Sequence, residues 1–355
     1  MRDVAEHAGV SVRTVSNVVS GYPHVSPATR ARVQRSLDEL GYRMDYLARG
    51  LRSGRTGFVA LAVPFLAEPY FAELAQAVVK AAARRGVTVL IESTGGDSEV
   101  ERRILAGGLT NVADGVLLSA LTVPPEAAAV QPDFPLVLLG EHGVGDRLPR
   151  VGIDNVAAAR TVVEHLLDQG CRRIVALGRN GSENGRQRTE GYRQALAAAR
   201  VRPVNWLVVP VDDWTRKQGY DAVRRLLDGS GPLPDAVFAF NDALAIGALR
   251  ALDASGVRVP GEVAVASIDD VQEAAYAHPP LTSIAPDLDV IAERALTLLE
   301  EQAASQDAGP AGSAPDAAPF RLVVRESSLR APNAPNVPSG REASPRLASA
   351  GEGGQ

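Results

Sequence analysis

The stretch Val4-Ala5-Glu6-His7-Ala8-Gly9-Val10-Ser11-Val12-Arg13-Thr14-Val15-Ser16-Asn17-Val18-Val19 decides the reading of this chain. Val4, Ala5 and Ala8 share one face at helical spacing. Gly9 ends that helix, because glycine takes the left-handed conformation without a Cβ clash. Ser11 can cap a second helix, its hydroxyl accepting from the free amides of the first turn. Val15, Val18 and Val19 then form an inward stripe, while Val12, Arg13, Ser16 and Asn17 fall outward. Two short helices joined by a tight turn are either an ordinary helical hairpin or a helix-turn-helix. In the second case the second helix enters the DNA major groove and presents its outward side chains to base edges.

The residues downstream bear on that choice. Ser26 is placed to cap and Pro27 to open a third helix, which runs through Val33, Leu37 and Leu40 and stops at Gly41-Tyr42. The strings AGVSVRTVSNVVSG from Ala8, HVSPATRARV from His24, ELGYR from Glu39 and LARGLRSGRT from Leu47 resemble, at matching intervals, the headpiece of the lactose-repressor (LacI/GalR) family. The resemblance continues to about Arg330. It implies operator contacts by Val12, Arg13, Thr14, Ser16, Asn17 and Arg30. It also implies a hinge over residues 46–57 that forms on DNA, with Ala48 beside a minor-groove wedge at Leu51. Without the resemblance that Gly-interrupted basic segment reads as a linker.

Charge is unevenly placed along the 355 residues. The first 57 hold nine arginines against five acidic residues, a net +4 within a chain whose total is −5. A basic head on an acidic body is the asymmetry of a nucleic-acid-binding module joined to something else. The single cysteine, Cys171, excludes an internal disulfide and reads as a structural thiol. The N-terminus is polar, without a signal-peptide pattern, and no apolar run approaches the roughly 20 residues of a membrane span. The expected location is the cytoplasm, with no membrane contact.

From Phe58 apolar runs alternate with helical patterns: FVALAV, VTVLI, GVLLS and LVLLG, then after Asp154 RIVALG, LVV, AVFAF and VAVASI. Such runs mean parallel strands covered on both faces. Two sets in tandem mean two doubly wound lobes with a cleft between them. The fold class is therefore α plus α/β: a helix-turn-helix headpiece, then two parallel-sheet lobes that resemble periplasmic sugar-binding proteins. The expected divisions are a headpiece at 1–45, a hinge at 46–57, a first lobe at 58–154 plus 286–304 and a second lobe at 155–285 plus 320–330. Crossings between the lobes are expected near Asp154-Asn155, Ala285 and Pro319. Residues 303–319 read as an exposed small-residue loop and residues 331–355 as a disordered tail without leucine heptads.

Ligands of doubly wound folds bind at the carboxyl ends of strands. Polar residues stand there after several runs: Asp154-Asn155, Asn241-Asp242 and Asp269-Asp270, with Arg188 and Trp214 in loop-to-helix segments. Each has a plain reading, since Asn and Asp after a strand often only cap the next helix. Together, carboxylates, an amide, an arginine and an aromatic face suit a polyhydroxylated ring. The family resemblance implies an effector cleft lined by Arg188, Trp214, Asn241 and Asp269, with Asp154 near it and Tyr70 and Phe71 closing over the ligand. Ser119 is either a further lining residue or a turn residue. A sugar or a nucleoside is the expected effector.

Enzyme chemistry finds no support in the motifs. There is no phosphate loop, GEHGVG from Gly140 has the wrong spacing for a dinucleotide fingerprint, and no serine stands in a nucleophile elbow. The five histidines lack metal-ligand spacing, so no metal or cofactor is implied. The expectation is a ligand-responsive regulator of the repressor kind, bound to a pseudo-palindromic operator as a homodimer because one headpiece reads a half-site. The competing reading is a sugar-binding or transport-type protein with a vestigial headpiece.

Three positions depart from the family pattern. The threonine that caps the first helix is missing ahead of Asp3, which leaves a mis-set start or a frayed helix. Met44 stands where a proline precedes the hinge, and Asn17 stands where arginine is usual. Asparagine pairs bidentately with adenine, whereas arginine reads guanine. Asn17→Arg is accordingly expected to shift preference toward guanine at one operator position in a binding-site selection. Identical selected sites from both proteins rule out base reading by Asn17.

Overall fold

Each short helix of the N-terminal segment starts and stops where its local chemistry dictates. In the computed structural model, residues 1–19, 22–42, 55–121, 132–140, 148–201, 207–304 and 316–330 are described. The chain divides after Gly57 into two compact units. The first contains α1 (Arg2–Ala8), α2 (Val12–Val19) and α3 (Pro27–Glu39). Gly9, at φ 60 and ψ 41, closes α1 in the left-handed region, and the amides of Gly9 and Val10 donate back to Glu6 and Ala5. Ser11 Oγ accepts from the Thr14 amide at 3.1 Å and Ser26 Oγ from the Thr29 amide at 3.2 Å. Each such cap stabilises its helix by about 1 kcal/mol.

Val4, Ala5, Ala8, Val15, Val18, Val33 and Leu37 form the core of this unit, with Val19 at its margin. Leu40, through which the third helix was expected to run, is the C-cap of α3 and is 45% exposed. No side chain of Met1 caps α1. His7 ties that helix to α3, with Nδ1 3.0 Å from Ser36 Oγ. Ala48 and Leu51 of the expected hinge, Met44, most of GEHGVG and residues 331–355 lie outside the described residues.

The second unit is built on two sheets. The first contains β1 (Phe58–Val63), β2 (Thr88–Ser93), β3 (Val116–Leu118), β4 (Leu136–Leu139), β5 (Arg150–Ile153) and β11 (Asp316–Ala318). Their order is β2-β1-β3-β4-β5-β11, parallel throughout. The second contains β6 (Ile174–Arg179), β7 (Val208–Pro210), β8 (Ala236–Ala239), β9 (Ala264–Ile268), β10 (Thr282–Pro286) and β12 (Phe320–Val323). Their order is β7-β6-β8-β9-β10-β12, with only β12 antiparallel.

Between the strands run α4 (Pro69–Arg84), α5 (Ser98–Leu105), α6 (Asn155–Asp168), α7 (Glu183–Ala198), α8 (Arg216–Asp228), α9 (Asp242–Ala254), α10 (Gln272–Tyr276) and α11 (Leu288–Ala304). The chain passes from one sheet to the other after β5, after β10 and between β11 and β12. Strands β8 and β9 are buried along their whole length, as an apolar strand covered on both faces must be.

Two elements differ from expectation. Residues 303–319 do not form one loop: α11 continues to Ala304, and Asp316–Ala318 pairs with β5 as an edge strand. Residues 305–315 lie outside the described part. The apolar run of β2 is not covered on both faces: Leu90 is 37% and Ile91 44% exposed, because β2 is the outermost strand of its sheet.

Helices α8 and α9 approach through glycine. A Cβ on Gly247 would sit 2.0 Å from the Arg216 carbonyl oxygen, and one on Gly219 would sit 2.2 Å from the Leu244 carbonyl oxygen. Backbone cannot yield as a side chain can, so a methyl group here forces the helices apart. Gly247→Ala is expected to destabilise the protein by about 1–3 kcal/mol, the usual result of overpacking, as read by urea denaturation. An unchanged midpoint rejects the close approach.

Candidate functional site

The outward face of α2 carries the first set of candidate residues. Val12 and Arg13 are exposed, and Thr14, Ser16 and Asn17 are half-buried. Thr14 Oγ1 lies 2.9 Å from Ser11 Oγ, so this hydroxyl also serves the helix start. Arg30 donates from Nη2 to the Tyr22 carbonyl at 2.8 Å, bracing the segment between α2 and α3. Ala48 and Leu51 fall outside the described residues.

The second set gathers where strand order reverses, between β1 and β3 in one lobe and β6 and β8 in the other. Arg188, on α7, is buried. Its Nε donates to Asn155 Oδ1 at 2.7 Å, its Nη1 donates to the Phe240 carbonyl, and its Cζ lies 4.9 Å from the centre of the Trp214 ring. Trp214 Nε1 donates to the Gly178 carbonyl at 2.7 Å, and the indole meets Phe240 edge-on at 6.0 Å. Asn241 Oδ1 caps α9 through the Leu244 amide at 2.9 Å, while its Nδ2 donates to the Trp214 carbonyl at 3.3 Å.

Asp269 follows β9 at φ 131, a conformation that favours glycine, and Asp270 follows at φ 50. Their turn is held from below. Asp242, fully buried at the start of α9, accepts at Oδ1 from the hydroxyls of Ser267 and Ser283 and at Oδ2 from the Val271 amide at 2.8 Å. The Arg325 guanidinium donates to Asp270 Oδ1 at 2.6 Å and to the Leu281 carbonyl at 2.7 Å.

From the first lobe come Tyr70 and Phe71, in the first turn of α4 with rings edge to face at 5.3 Å. Burial and the nearby Asp269 carboxylate hold the Tyr70 hydroxyl far above its usual value, with Arg188 opposing. Burial likewise raises Asp269, against the Arg188 charge and together with Asp242, Glu73 and Glu68. Burial lowers Arg188, which Asp269 and Tyr70 counteract. Tyr70 of one lobe therefore lies within electrostatic reach of Arg188 and Asp269 of the other.

Two further expected residues make local contacts. Asp154 is exposed, and its Oδ1 caps α6 through the Ala157 amide at 2.8 Å. Ser119 is buried and extends the β3 ladder through its amide to the Ala62 carbonyl at 2.9 Å. Glu68 and Glu73 were not singled out from sequence, and Asn155 and Asp242 were noted only as members of strand-end pairs, with no role of their own. Asn155 follows a capping Asp and is a polar side chain only 3% exposed. The signal for Asp242 was a pair of serines in apolar strands, Ser267 and Ser283, which the register sets side by side.

A three-helix unit with an exposed second-helix face, followed by two doubly wound lobes that share a charged aromatic cleft, defines a helix-turn-helix transcriptional regulator with a binding core. The chain belongs to the lacI family of bacterial regulatory proteins: that family's model matches residues 1–45, and the periplasmic binding protein-like domain matches residues 163–328. The HTH-type transcriptional regulator CelR of Thermobifida fusca is 36% identical over 335 residues, covering 91% of this chain and 96% of CelR. A solved CelR–cellobiose complex is 34% identical with TM-score 0.69, covering 92% of this chain and 98% of that one. The lac repressor dimer bound to operator and the anti-inducer ONPF is 27% identical with TM-score 0.78, at the same two coverages of 92% and 98%. Members of this family are regulators. Among the described residues no helix is long and apolar enough to cross a membrane, and no group of three or more side chains is arranged to hold a metal ion.

Asp242 gives the cleft a pH signature. Burial pushes its carboxyl up to about 6, against the two serine hydroxyls and the Val271 amide that favour the anion. In the unfolded chain the group returns to about 4. Between about pH 4 and 6 the folded protein therefore binds more protons at this site, and stability falls as pH rises through that window. The lowered carboxyls of Glu99, Glu183 and Glu293 carry the opposite slope and the raised carboxyls of Glu68 and Asp269 the same one, so the comparison is made with Asp242→Asn, which removes this carboxyl and its push on Asp269. The expected result of urea denaturation across that window is a wild-type stability that falls relative to the variant's. Parallel profiles reject a raised Asp242 carboxyl.

Proposed function

We propose that this regulator is a repressor which binds a pseudo-palindromic operator as a homodimer and changes its operator affinity when a sugar occupies the cleft. Residues 1–45 act as the headpiece, with Val12, Arg13, Thr14, Ser16, Asn17 and Arg30 at the DNA and Ala48 and Leu51 in a hinge over 46–57. Residues 58–154 with 286–304, and 155–285 with 320–330, act as the two lobes, and the protein works in the cytoplasm. The observation that carries the effector reading is the cluster of Tyr70, Arg188 and Asp269, drawn from both lobes and set beside Trp214. A carboxylate that accepts, a guanidinium that donates and flanking aromatic rings answer the vicinal hydroxyls and apolar ring face of a sugar. Phe71, Asn241, Ser119 and Asp154 complete the proposed set, the last two at its edge.

The solved complex of the relative CelR holds cellobiose, which makes a β-linked glucose disaccharide the first probe and a nucleoside the second. A ligand that binds one arrangement of the lobes better than the other shifts the population, and DNA affinity follows by linkage. The transport-type alternative leaves the basic headpiece without a role.

The test uses the full chain and labelled DNA from its own promoter region. Fluorescence anisotropy without ligand, and with cellobiose, ribose or cytidine, is expected to show specific binding that one of them shifts. Asp269→Ala is expected to keep operator affinity and lose the response, with ligand affinity reduced by about 1.5–3 kcal/mol, the range for a hydrogen bond to a charged group. A normal ligand response in this variant removes Asp269 from the site. Absence of specific DNA binding by the wild type overturns the regulator reading.

A further inference from the structure

Two successive amides after the Asp269-Asp270 turn are held by carboxylates of opposite lobes. The Val271 amide donates to Asp242 Oδ2 at 2.8 Å, within the second lobe. The Gln272 amide donates to Glu73 Oε1, also at 2.8 Å, and Glu73 lies on α4 of the first lobe. Beside this bond a second bridge crosses between the lobes. Glu68, at the start of α4, lies 3.8 Å from Arg216 on α8, and Arg216 lies 3.7 Å from Glu273 on α10. We propose that Glu68, Glu73, Arg216 and Glu273 form a latch that holds the two lobes together, with Glu73 as the positioning residue that couples the Asp269 turn to the first lobe.

The sequence positions give the latch its leverage. Glu68 and Glu73 flank Tyr70, Arg216 follows Trp214 by two residues, and Glu273 follows Asp269 by four. Any rotation about the three chain crossings that parts α4 from α8 and α10 thus breaks the latch and separates the cleft residues in one motion. The two long ion pairs are partly exposed, with side chains between 24% and 49% accessible. Such pairs shift an equilibrium by about fivefold or less. The charge-assisted bond from Gln272 is shorter and directional, and its loss shifts an equilibrium by about tenfold or more. A latch of this strength biases the lobes toward the closed arrangement without locking them. It also ties the Asp269 backbone to the lobe that carries Tyr70, so occupancy at Asp269 is felt across the cleft.

The effector role of the cleft rests on the function proposed above, but the latch is tested without ligand. Hydrogen–deuterium exchange resolved to single amides is measured on full-length wild type, Glu73→Ala, Glu73→Gln and Arg216→Ala. Glu73 stands half-buried on the surface of a long helix, so these variants fold. Exchange at Gln272 is expected to rise about tenfold or more in Glu73→Ala. The rise is smaller in Glu73→Gln, which keeps a neutral acceptor, and smaller still in Arg216→Ala. Val271, held by Asp242, changes less than Gln272 in every variant. A larger radius of gyration for Glu73→Ala in small-angle scattering is the matching global readout. Unchanged exchange at Gln272 in Glu73→Ala overturns the latch. Equal acceleration at Val271 and Gln272 also overturns it, because the bond then serves only the second lobe. If Gln272 responds as expected while no sugar or nucleoside shifts wild-type DNA binding, the latch stands and the effector reading falls.

Discussion

A guanidinium removed from water needs partners for its donors, and the second lobe is arranged around meeting that need for Arg188. Its donors reach a side-chain amide on α6, a main-chain carbonyl at the end of β8 and the face of an indole in the loop before α8. The Asp269 carboxylate at the end of β9 favours the charged form of Arg188, against burial. Four segments far apart in sequence are therefore fixed relative to one another by one side chain. Burying a charge is costly unless its donors are met, which is why such a group constrains geometry more than it adds stability. The cation also sets the character of the cleft, since it opposes the upward push of burial on both Asp269 and Tyr70.

The frame that carries this cluster depends on how closely its helices approach. Gly219 and Gly247 let α8 and α9 meet backbone to backbone, and this seats the start of α8 beside the cleft. Arg216 opens α8 two residues after Trp214, so one close helix contact positions both the ring against Arg188 and a cation that faces the first lobe. Asp242 performs the equivalent service for the Asp269 turn, drawing β9, β10 and the Val271 amide to one carboxylate. Burying it is costly, and the two serine hydroxyls and the amide offset that cost only in part, as its raised carboxyl records.

Much of this was legible from the amino-acid sequence, for reasons that differ by element. The headpiece was readable because its signals are local: Gly9 takes a positive φ, Ser11 and Ser26 accept amides three residues on, and the valines repeat at helical spacing. The central strands were readable because VAVASI and AVFAF have no polar face to offer solvent. The edges were not. VTVLI has the composition of a buried strand, yet nothing local says that β2 ends the sheet with Leu90 and Ile91 open. The short strand Asp316–Ala318 has no pattern at all, and it exists because β5 presents a free edge. Asn155 and Asp242 stood out as members of strand-end pairs, but their roles were not legible for a related reason. Their importance lies in partners 33 and 41 positions away, Arg188 and Ser283, which only the fold brings near.

The polar residues at strand ends differ in what their side chains have left once a helix is capped. Asp154 and Asn241 occupy the same station, the residue before a helix that follows a parallel strand, and both accept an amide three residues on. A carboxylate has only acceptors, and that of Asp154 is exposed and directed to its helix. An amide has an acceptor and two donors. Asn241 serves its helix with the oxygen and still reaches the Trp214 carbonyl with the nitrogen, linking the cap to the aromatic wall of the cleft. Capping therefore does not exhaust a side chain that has valences to spare. The number and kind of hydrogen-bonding groups left after the cap is satisfied separate Asn241 from Asp154, although position along the chain makes them equivalent.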